Sequence, residues 1–359
     1  MKKKILLLNT NYYDDIFTAS KVRAAISNAT PPLGLITIAG PLLEAGCNVE
    51  ILNLNIVKDY IKKLIERLKE FQPDFVGITA TTPTIKKAYE LSDIIKSINN
   101  HIIVVAGGPH PSALPMEVLQ ESSFDCVVRG EGDIIFRRLI VEGISQAIPN
   151  LFFKKDNNIV ESFDQNFFVE NLDSIPFPPY HLIDIKQYRQ PEISCRRNPV
   201  AYMETSRGCF ARCIYCNKNI FGYKIRMKSV ERVLGEMEFL LKLGFKEIHI
   251  IDDIFTADMK RAYQICEEII KKNMQFSWYP RGGIRVDRVD KELLAVMKRA
   301  GCYRIPFGIE SGSQKVLDSI NKKITLEQAE NAVKCAKDAQ MEVECYFMLG
   351  LPEENEEDI

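Results

Sequence analysis

Short apolar runs alternate with amphipathic segments twice along the chain, and this alternation constrains the fold more than any other feature. Before residue 150, the segments between the runs carry apolar residues at three- and four-residue steps. The apolar runs are residues 4–8, 48–52, 75–79, 102–106 and 126–129, and the helical segments are residues 34–45, 57–70, 85–98 and 115–121. This pattern predicts an α/β fold with a parallel sheet covered by helices on both faces. Ligands of such sheets bind at the carboxyl ends of the strands.

A proline-dense stretch, Ile175-Pro176-Phe177-Pro178-Pro179-Tyr180, separates the two alternations and cannot continue a helix or a central strand. The second alternation predicts strands at residues 200–205, 247–251, 276–279, 304–309 and 342–349, and a helix at residues 230–243. Each strand runs into a polar or glycine-bearing loop, as expected for a barrel whose active site lies at its carboxyl rim. We therefore predict a domain at residues 1–150, a linker at 151–197 and a second domain at 198–359.

Length and charge agree with a two-domain enzyme. A chain of 359 residues exceeds the usual size of one hydrophobic core. A net charge of −1 gives no reason to expect nucleic acid or an anionic membrane as a partner. The apolar run at residues 5–8 is too short for a signal peptide, and no stretch approaches the length of a membrane span. Ten cysteines without secretory features predict a reducing, cytoplasmic location.

Cys209, Cys213 and Cys216 form a C-x3-C-x2-C motif directly after the predicted strand at residues 200–205. An iron–sulfur cubane usually takes one cysteine at each of its four irons, so three thiolates leave one iron open to another ligand. A zinc site would need a fourth ligand, which Cys195 or His249 could supply, although zinc sites usually use paired C-x2-C elements. Three buried structural thiols are a further alternative.

The motif, with Tyr215 just before its third cysteine, resembles that of the radical S-adenosylmethionine (SAM) enzymes. The resemblance implies a 4Fe-4S cluster on the three cysteines, SAM at the open iron and adenine stacked on Tyr215. It also implies a partial (β/α)6 barrel, of which this chain lacks the last unit, so we expect it to be C-terminally truncated. The expected SAM contacts of the family fall on Asp252, Asp253, Arg285 and Glu310.

Loops at the predicted strand ends of the first domain resemble those of the cobalamin-binding domain that precedes the radical core in one branch of that family. The resemblance makes that domain Rossmann-like. It assigns cobalamin contacts to Pro32, Leu33, Gly34, Thr79, Thr81, Gly107, Gly108, Pro109, His110, Gly130, Glu131 and Gly132. The Asp-x-His-x-x-Gly motif that supplies a lower cobalt ligand is absent, so cobalt is expected to have a weak ligand, water or none below. His110 is expected to contact the nucleotide tail or to cap a turn. A domain that kept the shape and lost the cofactor is the alternative.

The resemblance implies that reductive cleavage of SAM gives a 5′-deoxyadenosyl radical, and that cobalamin delivers a methyl group to an unactivated carbon of a small-molecule substrate. An electron donor such as flavodoxin or ferredoxin is the implied partner. Two alternatives stay open. One is a radical cyclase or rearrangement enzyme without functional cobalamin, and the other is a non-catalytic corrinoid- or metal-binding module.

Overall fold

The computed structural model describes residues 2–10, 30–156 and 158–359, and these residues divide into two compact units. The first unit takes residues 1–170, 174–191 and 219–221, and the second takes residues 171–173, 192–218 and 222–359. Residues 151–155 and 158–161, in the first part of the segment predicted as a linker, form two strands of the first unit. From there to Pro191 the segment is mostly irregular and contains three short 3-10 turns.

A seven-stranded sheet of order β2-β1-β3-β4-β5-β6-β7 forms the centre of the first unit. Its strands are β1 (Lys4–Asn9), β2 (Asn48–Asn53), β3 (Phe75–Thr79), β4 (Ile103–Gly107), β5 (Cys126–Val128), β6 (Leu151–Lys155) and β7 (Asn158–Glu161). The first five are parallel, as the alternation predicts, and β6 and β7 add an antiparallel edge. The order reverses beside β1, which is the arrangement that places ligands at the carboxyl ends of the strands.

Helices cover both faces of this sheet, so the predicted doubly wound α/β fold is confirmed. They are α1 (Leu33–Glu44), α2 (Tyr60–Phe71), α3 (Ile85–Ile98), α4 (Pro109–Ala113), α5 (Pro115–Gln120) and α6 (Gly132–Glu142). Alternate residues of β1 enter two separate cores, because successive side chains of a strand point to opposite faces. Leu6 and Leu8 pack in the core that includes α2 and α3, whereas Ile5 and Leu7 pack in the core that includes α1 and α6.

Five parallel strands of the second unit match the five that the second alternation predicts. They are β8 (Val200–Met203), β11 (Glu247–Ile250), β12 (Ser277–Pro280), β13 (Arg304–Glu310) and β14 (Glu342–Phe347), with the two-residue strands β9 (Ser206–Arg207) and β10 (Arg226–Met227) between the first two. β8, β11 and β12 form one ladder and β13 and β14 another. Single bridges from Trp278 to Cys302 and from Ile284 to Phe307 connect the two. The predicted incomplete barrel is therefore confirmed.

The helices of this unit are α7 (Val230–Lys242), α8 (Met259–Lys271), α9 (Lys291–Arg299), α10 (Gln314–Ser319) and α11 (Leu326–Asp338). They pack on the face of the strands that carries Trp278, whose indole N–H donates to the carbonyl oxygen of Ala300 at 2.9 Å. The opposite face, which we call the inner face, carries Tyr202, Glu247, His249 and Tyr279. His249 stands in register with both tyrosines, and its ring contacts both of theirs.

Among the described residues, no helix is both long and apolar enough to cross a lipid bilayer.

Candidate functional site

The three cysteines lie on one loop beyond the carboxyl ends of β8 and β9. Cys209 is buried, Cys213 is half-buried and Cys216 is exposed. Main-chain bonds fix the loop at both ends, since the Cys209 N–H donates to the carbonyl oxygen of Gly222 at 3.3 Å and the Cys216 N–H to that of Cys213 at 3.2 Å. Between them, the Ile214 N–H donates to the carbonyl oxygen of Ile320 at 3.1 Å.

Asp252 fixes the chain just before this loop. Its carboxylate is 2% exposed. It accepts hydrogen bonds from the backbone N–H and the hydroxyl of Thr205 and, at 2.7 Å, from the hydroxyl of Ser206. Burial raises the pKa of Asp252, although these hydrogen bonds oppose that effect. Because both carboxylate oxygens already accept protein donors, the carboxylate orients the strand end that leads to the cysteines.

Asp253 and Arg261 extend this support. The exposed Asp253 side chain accepts the backbone N–H of Gly208 at 3.1 Å, one residue before the first cysteine. Arg261 is buried and donates to the carbonyl oxygens of Thr205 at 3.0 Å and of Lys228 at 2.9 Å. Thr205 and Arg261 were not among the predicted site residues, because neither belongs to a recognisable motif.

Two side chains place charge and a ring beside the thiols. The ammonium of Lys218 lies near Cys209 and Cys216. Burial alone would lower the pKa of Lys218, but the interaction with these two sulfur atoms raises it overall. Tyr215, predicted to stack with adenine, lies near Cys213 and Glu310, and burial raises the pKa of its phenol. The loop thus presents its sulfur atoms together with an aromatic face and a cation.

Three thiolates on one short loop match the ligands of an iron–sulfur cluster. Within residues 2–10, 30–156 and 158–359, no three His, Cys, Asp or Glu side chains lie close enough to bind one ion. A cubane is compatible with it, because each thiolate of a cubane binds a different iron and the three sulfur atoms need not converge on one point.

Glu310 ends β13 in the left-handed region, with φ of 76°, an uncommon conformation for a residue with a side chain. Its carboxylate accepts the ammonium of Lys322 at 2.7 Å, and this ion pair is almost fully buried. The same ammonium lies 3.3 Å from the hydroxyl of Tyr215. Glu310 therefore lies close to the predicted adenine platform, whereas Lys322 is a site residue that the sequence reasoning missed.

The guanidinium of Arg285 is occupied by protein acceptors. It donates to the carboxylate of Asp287 at 2.9 Å and to the carbonyl oxygens of Lys322 and Lys323, both at 3.1 Å. Its position 5.7 Å from the ring of Phe210 places it beside the cysteine loop. These contacts hold the turn that carries Lys322, and the expected contact of Arg285 with SAM stays a prediction.

In the first unit, the loops after β3 and β4 are tied together. Gly108 has φ of 96°, and a Cβ built on it would lie 2.6 Å from the Thr79 hydroxyl oxygen and 3.0 Å from the carbonyl oxygen of Ala80. The backbone N–H of His110 donates to that same carbonyl at 3.2 Å, and its Nδ1 lies 3.1 Å from the Thr82 hydroxyl. His110 is buried and joins the two loops, in line with the turn-capping role predicted for it. Its neighbour Pro109 is the first residue of α4.

Other predicted cobalamin contacts differ in how much space surrounds them. Among the described residues, a Cβ on Gly107 would meet nothing closer than 3.9 Å and one on Gly34 nothing within 4 Å, so both leave room for a large ligand to approach the backbone. Glu131 is buried, and its carboxylate accepts the backbone N–H of Val169 at 3.0 Å. A Cβ on Gly132 would lie 2.9 Å from Ile38, so this glycine serves helix packing.

The remaining predicted contacts lie at the same ends of the sheet. Pro32 and Leu33 form the start of α1 beside Gly34, and the Leu33 side chain is buried. The backbone N–H of Thr81 donates to the hydroxyl of Thr84 in the turn after β3. The backbone N–H of Gly130 donates to the Ser112 hydroxyl at 2.9 Å. The loops around Gly34 and Gly107 therefore fit a large ligand, whereas Glu131 and Gly132 are occupied by protein contacts.

Comparison with known proteins identifies both units. The B12 binding domain family matches residues 19–140, and the radical SAM superfamily matches residues 203–359. A protein of Pyrococcus horikoshii named as an uncharacterized methyltransferase is 35% identical over 95% of this chain and 74% of its own length. The anaerobic magnesium-protoporphyrin IX monomethyl ester cyclase of Rubrivivax gelatinosus is 29% identical over 99% of this chain and 64% of its own length.

Solved structures share the fold. The radical SAM methyltransferase TsrM from Kitasatospora setae, with cobalamin and a [4Fe-4S] cluster bound, superposes with a TM-score of 0.79 at 20% identity and covers 100% of this chain and 69% of its own. The cobalamin-dependent radical SAM enzyme OxsB gives a TM-score of 0.81 at 20% identity and covers 97% of this chain and 49% of its own.

The chain therefore belongs to the radical SAM superfamily, in the group whose members carry a B12 binding domain before the radical SAM domain. The predicted cofactors, a 4Fe-4S cluster, SAM and cobalamin, are confirmed as those of this family. The predicted resemblance is also confirmed.

Proposed function

We propose that the chain carries out radical SAM chemistry that transfers a methyl group through cobalamin to an unactivated carbon of a small molecule. The observation that supports it most strongly is the three-cysteine loop held by Asp252 beyond the carboxyl end of β11. A cluster held there by the three cysteines would supply the electron for reductive cleavage of SAM, and cobalamin would supply the methyl carrier.

The residues of the second unit would divide this work. Cys209, Cys213 and Cys216 hold the cluster, and Tyr215 offers its ring to adenine. Asp253 is exposed after the second strand of the barrel and would contact the amino group of SAM. Asp252 would position the cysteine loop, and Arg285 would position the turn that carries Lys322.

Glu310 faces the ribose end of SAM in this proposal. Lys322 fixes the direction of the Glu310 carboxylate, since an ion pair buried from water resists reorientation.

In the first unit, the loops around Gly34 and Gly107 would admit the corrinoid, and those around Thr79, Gly108 and His110 would fix the shape of the pocket for its nucleotide tail. Among the described residues, no histidine lies in an Asp-x-His-x-x-Gly motif, which supplies the lower cobalt ligand in other cobalamin proteins. We therefore keep a weak lower ligand, water or none as part of the proposal.

A second candidate is cyclisation without methyl transfer, which is favoured by the likeness to the cyclase of Rubrivivax gelatinosus. The non-catalytic module has no observation in its favour. A flavodoxin or ferredoxin as electron donor, a cytoplasmic location and the absence of nucleic-acid partners belong to the proposal as well.

The experiment uses the chain purified without oxygen, with its cluster reconstituted and hydroxocobalamin added. Formation of 5′-deoxyadenosine under a strong reductant is measured for the wild type, Cys213→Ala and the control Cys335→Ala, whose thiol lies on α11 outside the loop. We expect the first variant to lose SAM cleavage and the control to keep it. Cleavage that survives Cys213→Ala would contradict every radical proposal.

Methyl-deuterated SAM separates the two candidates. Deuterium recovered in the corrinoid fraction supports methyl transfer. Cleavage of SAM with no label in the corrinoid supports the cyclase alternative.

A further inference from the structure

Arg281 lies on the inner face of the barrel, directly after β12, and has no carboxylate partner among the described residues. Its Nη1 donates to the hydroxyl of Tyr279 at 2.8 Å, and its guanidinium lies 5.8 Å from the centre of the Tyr202 ring. Both contacts are with neutral groups. Burial would lower the pKa of Arg281, but the tyrosines Tyr202, Tyr279 and Tyr346 around it raise it overall, so the side chain is cationic.

Other arginines of the second unit form ion pairs with carboxylates, which Arg281 does not do among the described residues. Arg304 pairs with Glu342 and Glu344, each at 2.9 Å, and Arg285 pairs with Asp287 at 2.9 Å. A half-buried guanidinium without a counter-ion is costly, because protein and water together solvate it less well than bulk water. An unpaired guanidinium beside tyrosines is suited to bind the anionic group of a ligand.

His249 provides a second polar atom without a partner on the same face. The side chain is 0% exposed, its Nε2 lies 2.7 Å from Glu247, and its Nδ1 has no hydrogen-bond partner among the described residues. Burial lowers the pKa of His249, and the charge of Arg281 adds to that effect. The neutral ring therefore donates from Nε2 to the carboxylate and presents Nδ1 as an acceptor.

We propose that Arg281 binds an anionic group of the methyl-accepting substrate, either a carboxylate or a phosphate, and is thereby a specificity-determining residue; this rests on the proposed function. The planar guanidinium offers paired donors that match both anions, and Tyr279 orients it. Tyr202 and Tyr279 supply aromatic surface for the organic part of the substrate. His249 accepts a hydrogen bond from a neighbouring hydroxyl or amine of the same molecule.

Modification by phenylglyoxal, which reacts with accessible guanidinium groups, tests the proposal on the cluster-loaded chain. The rate at Arg281 is followed by peptide mass spectrometry with inorganic phosphate, acetate or chloride at equal ionic strength. With the anion at twice its dissociation constant, we expect phosphate or acetate to slow the reaction about threefold relative to chloride. Whichever of the two protects better identifies the class of anion. Equal rates in all three salts would overturn the proposal.

SAM carries a carboxylate of its own, so the same measurement is repeated with SAM alone. Protection of Arg281 by SAM at the level given by the small anions would assign the residue to the cofactor and overturn the proposal. No protection by SAM supports it. This readout does not depend on turnover. A chain that fails to cleave SAM would therefore contradict the proposed function, and the protection measurement would still decide whether Arg281 binds an anion.

Melting temperatures of Arg281→Gln and of Arg299→Gln give an independent measurement. Arg299 is exposed at the end of α9 and serves as the matched control. We expect phosphate or acetate to raise the melting temperature of the wild type and of the control, and to leave that of Arg281→Gln unchanged. An equal rise in all three proteins would place the anion elsewhere and contradict the proposal.

Discussion

Thr205 and Asp252 are joined at two points, since both the backbone N–H and the hydroxyl of Thr205 donate to the Asp252 carboxylate. Thr205 lies beyond β8 and Asp252 beyond β11, and these two strands are paired in parallel. The contact therefore fixes the direction in which the chain leaves the sheet toward Cys209. A short-range polar network thus sets where the cluster ligands begin.

We expect Asp252→Ala to destabilise the second unit by about 3 kcal/mol or more, because three buried donors lose their acceptor. Asp252→Asn keeps the shape and one acceptor oxygen, so its loss is expected to be smaller. Urea unfolding measures both, and Asp338→Ala at the exposed end of α11 is the control that should change little. Iron uptake by Asp252→Asn should fall if the network positions the loop, and normal uptake would contradict that role.

The pair Glu247–His249 is expected to make stability depend on pH. Burial lowers the pKa of His249, so the folded state favours the neutral ring. The unfolded chain then binds more protons below about pH 6.5, and stability falls as the pH falls through that range. Replacing His249 by Asn should remove at most about 1.4 kcal/mol per pH unit from this slope. Unfolding curves at several pH values measure it, and His181→Gln, at an exposed histidine, should leave the slope unchanged.

Below that range, Glu247 adds to the same trend. Burial alone would raise its pKa, but hydrogen bonds from His249 and Tyr303 hold the pKa below its usual value. Its contribution to stability is present above about pH 4.3 and is lost as the pH falls further. Stability that stayed constant from neutral to acid pH would contradict both assignments.

Gly107 and Gly108 are adjacent but should respond differently to substitution by alanine. At Gly108 the positive φ and the 2.6 Å approach to the Thr79 hydroxyl predict a loss of about 1–3 kcal/mol in stability. At Gly107 the new methyl group comes no closer than 3.9 Å to any atom of the described residues, so the fold should be retained. Retention of hydroxocobalamin should nevertheless fall in Gly107→Ala if the ligand approaches that backbone. Full retention there would contradict the assignment.

Lys322→Met is expected to cost about 3–5 kcal/mol, because it leaves the Glu310 carboxylate buried without a partner. The double variant with Glu310→Gln should recover part of this loss, since no isolated charge remains. A double-mutant cycle by urea unfolding gives the coupling energy between the two side chains. Additive losses would show that the pair is not coupled.

Sequence periodicity was sufficient to predict most of the fold, because amphipathic helices and buried parallel strands follow from spacing alone. The strands β1 to β5, β8 and β11 to β14 lie within a few residues of their predicted positions. α6 was missed because it opens with Gly132-Asp133, which is typical of a turn. The predicted bounds place β6 and β7 in the linker, because both strands directly precede the proline-dense stretch.

The site was predictable only where its chemistry is local in sequence. The cysteine triplet and Tyr215 lie within eight residues, whereas Thr205 meets Asp252 across 47 positions and Glu310 meets Lys322 across 12. For Asp252 and Arg285 the pattern predicted proximity to the site but not the direction of the side chain. Hydrogen bonds to Thr205 and to the Lys322 carbonyl, both far away in sequence, decide that direction.

The cysteine loop is held largely by main-chain atoms, including the N–H groups of Gly208, Cys209 and Ile214. Ile214 takes part in this through its N–H group, and its side chain is 57% exposed. The side chain at position 214 can therefore change, and with it the polarity around the cluster, without loss of that main-chain bond. Ile214→Ser should fold as the wild type does and shift the reduction potential of the bound cluster.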